Sequence, residues 1–221
     1  MSRAFFALFQ RDLRLASRGH GFAAALGFFL LAASMAPLAF GTDPDFLREA
    51  APALFWLLAV LAALLGLEGL FRPALENGDL DIIALSPMPL SLMALSRLSA
   101  YWLVTGLPLA LCVFPAGLLF GMSSAAIFGL FTSMVIGTPG LILIGGAIAA
   151  LAAGLRQAAG LVVFLTLPFY APALIFGPRA ANALAEGQWL SASPLFLLAF
   201  TLQALAIAPF LSAGALRQYL E

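Results

Sequence analysis

The sequence contains no lysine. All ten basic residues are arginines, at positions 3, 11, 14, 18, 48, 72, 97, 156, 179 and 217. That absence removes the lysine of a phosphate-binding loop and any Schiff base to retinal or pyridoxal phosphate. A chain so built is expected to draw on energy released elsewhere. Cysteine and histidine are nearly missing too, with one of each, Cys112 and His20. A disulfide within the chain is therefore impossible, and Cys112, inside an apolar run, reads as a small inert hydrophobe. His20 opens the first apolar run and reads as an interfacial residue. Without a second histidine or a cysteine pair, metal and intramembrane-protease chemistry lack their parts. Charge itself is scarce, at 9% of residues, where a soluble domain carries roughly 25%. The net charge of zero suggests no nucleic-acid partner.

What the sequence has in abundance is apolar length. Hydrophobic residues make up 63% of it, with 20 Phe and a mean hydropathy of +1.08, so the chain reads as an all-α integral membrane protein. Residues 1–18 form an amphipathic helix, with Arg3, Arg11, Arg14 and Arg18 within an arc of roughly 80° and Phe5, Phe6, Phe9, Leu13 and Ala16 opposite. Such a helix is expected to lie on the membrane surface, with Arg11, Arg14 and Arg18 at the anionic headgroups. A flexible basic flank and a cleaved signal peptide are the alternatives.

Six uncharged runs follow, each long enough to cross a hydrocarbon core of about 30 Å as a helix. The expected spans are 19–42, 50–67, 98–120, 125–155, 157–178 and 190–216. Residues 98–155 hold no charge over a length too great for one crossing, so they are divided at a turn over 121–124. Pro108 and Pro115 fall in the third span and Pro139 in the fourth, where neighbours must satisfy the freed carbonyls. The fourth span is rich in glycine, at 129, 137, 140, 145 and 146, which favours close helix packing over a glycine-lined path. The fifth, interrupted by Pro168 and Pro172, either crosses whole or ends near Leu167 with a re-entrant remainder.

If the N-terminus is cytoplasmic, eight arginines lie inside and two, Arg48 and Arg179, outside, a strong positive-inside bias. The loops 43–49 and 179–189 are then periplasmic and the tail 217–221 cytoplasmic. So is a polar island over 68–97, which holds Glu68, Arg72, Glu76, Asp79, Asp81 and Arg97, six of the twenty charged residues. Pro73 suits a helix start, Asn77-Gly78 a tight turn, Asp79 the cap of a second short helix, and Ser91 the cap of the third span. This is the expected docking surface for a soluble partner. Two other readings stay open. Glu76, Asp79 and Asp81 around magnesium would make a membrane phosphotransferase, although nearby basic groups are few for a diphosphate. An ion-coupled secondary transporter would place ionisable groups at mid-membrane depth, and no span has one away from its ends.

The amphipathic start, the six spans and the island resemble permeases of the type-two ABC exporter class, in which the first helix is an interfacial elbow. The chain is similar along nearly its whole length to the B subunits of the cytochrome c maturation system, the haem exporter protein B family. The stretches that carry this are Phe9-Gln10-Arg11-Asp12-Leu13-Arg14, Leu67-Glu68-Gly69-Leu70-Phe71-Arg72, Glu76-Asn77-Gly78-Asp79-Leu80-Asp81, Val104-Thr105-Gly106-Leu107-Pro108-Leu109, Gly137-Thr138-Pro139 and Leu174-Ile175-Phe176. The sequence departs from the family pattern at Pro73-Ala74, where an acid is common, and at Asn77, where Asp often precedes the glycine. The resemblance implies a homodimer on a separate ATPase dimer, which holds ATP and magnesium, with a haem-handling membrane subunit and a small single-span subunit as further partners. It implies no cofactor bound to this chain, and Glu68, Arg72, Glu76, Asn77, Gly78, Asp79 and Asp81 as the segment that couples to the ATPase in the inner membrane.

Overall fold

The computed structural model describes all residues except 1, 19, 42, 68–69, 73–74, 76–87, 156–157 and 220–221. The described residues form helices and short connections, with no strand among them. In hydrocarbon every backbone N–H and C=O must find its partner within the segment, and a helix does this at each residue. The short helix α1, Ser2–Arg18, is followed by α2 (His20–Phe40), α3 (Pro44–Leu67), α4 (Leu90–Leu119), α5 (Ser124–Ala152), α6 (Ala158–Ala185) and α7 (Ala192–Arg217). The six after α1 are each long and apolar enough to cross a membrane.

These helices alternate in direction. Gly21 at the start of α2 faces Gly66 at the end of α3, the α4–α5 turn meets the start of α3 at Arg48, and Tyr219 after α7 meets Leu151 near the end of α5. One end of the bundle, the α1 end, therefore gathers α1, the segment after α3, the start of α4 and the end of α7. The other end holds the end of α2, the start of α3 and the turns near residues 120–123 and 186–191.

Helices α3 and α5 form the centre, whereas α2, α6 and α7 expose most of their surface. The exposed side chains there are apolar, among them Leu38, Phe164 and Phe210, as lipid contact requires. Trp56 of α3 sits at the middle of the core, fully buried, between two glycines, Gly137 of α5 and Gly177 of α6. A Cβ at either position would collide with the indole ring, so the close packing expected of the glycine-rich fourth span is what the helices adopt. The indole N–H is satisfied by Ser133 Oγ at 3.2 Å, and that hydroxyl donates to the Leu130 carbonyl at 2.9 Å. Other core hydroxyls also pin one helix to the next: Tyr170 donates to Leu141 O at 2.7 Å and Thr201 to Ile136 O at 2.7 Å.

Helix α4 widens into a π turn over Trp102–Gly106, closed by the Leu107 N–H bonding to Trp102 O. Pro108 follows directly. In a regular helix its ring would press on the Val104 carbonyl and leave it unpaired, and the extra residue in the preceding turn relieves that clash. The same turn brings Trp102 Nε1 to Thr138 Oγ1 at 3.0 Å, pinning α4 to α5.

The helix ends differ from the expected spans in three places. Helix α3 begins at Pro44, because Asp43 Oδ1 accepts the Asp45 N–H at 3.1 Å and proline suits a first helical position. Helix α6 runs unbroken through Pro168, Pro172 and Pro178 to Ala185, with no re-entrant segment and with Arg179 exposed on its surface. Helix α4 begins at Leu90, so the last part of the polar island, Arg97 included, is helix continuous with the third span. Its N-cap is Pro89, in extended conformation with no side-chain bond, and Ser91 lies inside the first turn and caps nothing.

Candidate functional site: a buried carboxylate junction at the α1 end

At the α1 end, four parts of the chain converge on one small pocket lined by Leu8 and Asp12 of α1, Phe71, Met93 and Arg97 of α4, and Leu216 of α7. Its first component is a carboxylate removed from water. Asp12 is only 6% exposed. On a helical wheel it falls roughly 140° from the centre of the arginine arc, flanked by Phe5 and Leu8, and so turns inward where Arg11 and Arg14 turn out. Ser96 of α4, fully buried, donates its Oγ–H to Asp12 Oδ2 at 2.7 Å. Burial pushes the Asp12 carboxyl above the ordinary carboxylate range, opposed by the Ser96 hydrogen bond and by the Arg97 and Arg11 guanidinium groups.

The second component adjoins it on α4. Successive residues of a helix point roughly 100° apart, so while Ser96 faces α1, Arg97 turns toward the segment after α3. There its guanidinium carbon lies 5.7 Å from the centroid of the Phe71 ring, a cation–π distance. Phe71 is 1% exposed and belongs to the core, as does Leu70. The turn that carries them is closed by Leu70 N–H to Leu67 O and Leu75 N–H to Phe71 O, both at 3.1 Å. The segment after α3 therefore leaves the bundle through a buried aromatic gripped by α4, and α4 is in turn bonded to α1. Nearby, Tyr219 packs on Gly154 and donates to Leu151 O at 2.7 Å, tying the end of α7 to α5.

Of the coupling residues expected from sequence, Arg72 lies in the helical turn beside Phe71, half-buried. Glu68, Glu76, Asn77, Gly78, Asp79 and Asp81 lie outside the described residues, and so do the three carboxylates of the phosphotransferase reading. Among the described residues no group of three or more His, Cys, Asp or Glu side chains is placed to hold a metal ion. Of the interface residues, Arg11 and Arg14 are exposed on α1, while the Arg18 side chain is outside the described set. Asp12, Ser96 and Phe71 were not among the expected site residues. One signal marks the first of them: Asp12 is the only acid in the first 42 residues.

The fold and this junction define an all-α, multi-pass membrane protein whose polar chemistry is concentrated at one end. The family model described as CcmB protein matches residues 3–219, and the chain belongs to that family. Among its relatives is the Heme exporter protein B of Paracoccus denitrificans, 43% identical over 212 residues, which are 96% of this chain and 97% of the relative. The protein of that name from Pseudomonas aeruginosa is 39% identical over 218 residues, 98% of both chains. That from Escherichia coli is 35% identical over 214 residues, 96% of this chain and 97% of its own.

Proposed function

We propose that the chain is the permease subunit of an ABC transporter complex of cytochrome c biogenesis, resident in the bacterial inner membrane with both termini cytoplasmic. A separate ATPase docks on the connector between α3 and α4, and its closure on ATP and magnesium moves those two helices. That movement serves haem delivery, or release of a haem-loaded chaperone from the haem-handling subunit. A second copy of the chain and a small single-span subunit complete the assembly, and no cofactor binds this chain directly. Arg11, Arg14 and Arg18 hold α1 at the headgroups as an elbow, in the manner of type-two exporters.

Membership in the CcmB family supports this reading, as do relatives named as heme exporters. The arginine bias supports the orientation. The observation that carries the coupling role is the burial of Phe71 beside a pocket that α1, α4 and α7 also line, with Arg97 over its ring. A connector that enters the bundle through a buried, gripped aromatic passes a displacement on rather than absorbing it in a loose loop. The test replaces Glu76 and Asp79 with Ala in the native complex. Weakened ATPase association, or hydrolysis that continues without cytochrome c assembly, is expected, and unchanged association with unchanged assembly would overturn the docking assignment.

A further inference from the structure

We propose that the Asp12–Ser96 pair is a latch that makes α1 and the start of α4 one lever, so that the surface helix moves whenever the connector is pushed. The proposal rests on the permease reading above and adds to it a positioning residue and a moving part. It stands on three observations. The bond spans 84 positions in sequence and joins two elements that share no loop. Both partners are buried, at 6% and 0% exposure, so bulk water competes little for the bond. And Arg97, next to Ser96 on α4, rests on Phe71, the residue through which the connector enters.

The geometry sets a path for force. A load on the connector reaches Phe71 and is carried to α4 through Arg97, and one residue away Ser96 holds α1 through Asp12. The first turns of α4, residues 90–97, are packed against α1 and continuous with the span beyond, so tilting α4 carries α1 with it. Without the carboxylate, α4 responds to the connector and α1 stays behind. Leu8, Met93 and Leu216 line the pocket beside Asp12, so the bond sits in mostly apolar surroundings. An exposed pair would exchange partners with solvent at little cost.

The test uses the intact complex, purified from native membranes with its ATPase and placed in lipid nanodiscs, and follows amide hydrogen exchange of residues 5–17 and 88–97 with and without ATP. In the wild type both segments are expected to change protection together. In Asp12→Ala the change at 88–97 persists, the change in α1 is lost, and α1 amides exchange about tenfold faster, as loss of a buried hydrogen bond to a charged group allows. Holo-cytochrome c assembly falls while the ATPase still co-purifies. Asp12→Asn keeps an acceptor for the Ser96 hydroxyl and restores most of the coupled change. Ser96→Ala removes a single oxygen and reproduces the alanine phenotype from the other side, and the double variant is no worse than Asp12→Ala alone. An α1 that responds to ATP in Asp12→Ala as it does in the wild type, or one that never responds in an ATPase-bound wild type, overturns the latch. If no ATPase accompanies the wild type, the permease reading fails and the latch falls with it.

Discussion

Each end of the bundle is stitched by an arginine, but the two stitches differ in kind. At the end away from α1, Arg48 Nε donates to Gly121 O at 2.9 Å and Nη1 pairs with Asp45 Oδ1 at 3.0 Å, with side chains 51% and 91% exposed. Gly121 itself has a φ of +64°, which a residue with a Cβ adopts only under strain, and Ser123 Oγ caps α5 by accepting the Ala126 N–H at 3.2 Å. These polar contacts close turns in the presence of water, over a buried Phe120 that packs on Phe55 at 4.9 Å between ring centroids. At the α1 end the corresponding contacts are more deeply set: Asp12 and Ser96 are both buried, and a half-buried Arg97 lies over the buried Phe71 ring. Water competes more for the first kind of polar contact than for the second, so the polar contacts of the α1 end are better suited to hold separate helices in one arrangement under load.

Four measurements break or sharpen that contrast. The largest effect belongs to Phe71→Ala, which empties a fully buried aromatic site and is expected to destabilise the bundle by about 3–5 kcal/mol, read as reduced membrane accumulation and a lower unfolding temperature in detergent. Gly121→Ala comes next at about 1–2 kcal/mol, since alanine must take a left-handed conformation, and it should leave ATPase association untouched.

A pH titration of α1 protection comes third. The native Asp12 carboxyl binds its proton more tightly than a detached one, so the folded junction holds more protons in the window above 3.8. Junction stability should therefore rise as pH falls from neutrality through the raised value, and fall again as pH returns through it. Asp12→Asn is expected to flatten the slope, and a slope surviving in that variant would assign it to another group. The smallest effect is that of Arg48→Ala, a few tenths of a kcal/mol at most and about zero at high salt, because an exposed pair is screened. A loss as large as that of Phe71→Ala would invert the contrast between the two ends.

The spans were legible because apolar runs of membrane length admit one solution, a helix. Their ends were less so, since a helix is free to continue past the hydrocarbon. Leu90–Tyr101 continues the third span outward because it has α1 to pack on, a partner that no local pattern announces. The start of α3 was readable in principle: Asp43-Pro44 is a cap followed by a first-turn proline. Helix α6 passes through three prolines because lipid offers the chain no better arrangement than an imperfect helix. The amphipathic wheel of α1 placed the arginines but treated the rest as one apolar face, and so passed over Asp12 at its margin. Its partner stands 84 residues away, and pairings of that range are not written in the periodicity of either helix. Glu68, Glu76, Asn77, Gly78, Asp79 and Asp81 remain the proposed ATPase contacts.

The central claim is that this subunit receives work at its connector and has no energy source of its own. Reconstituting the purified subunit in liposomes, first alone under an imposed proton or sodium gradient and then with its ATPase and ATP, tests that directly. The account predicts no net movement or turnover of any substrate by the subunit alone, and ATP-dependent activity only once the ATPase is present. Gradient-driven transport, or catalytic turnover, by the isolated subunit would contradict it.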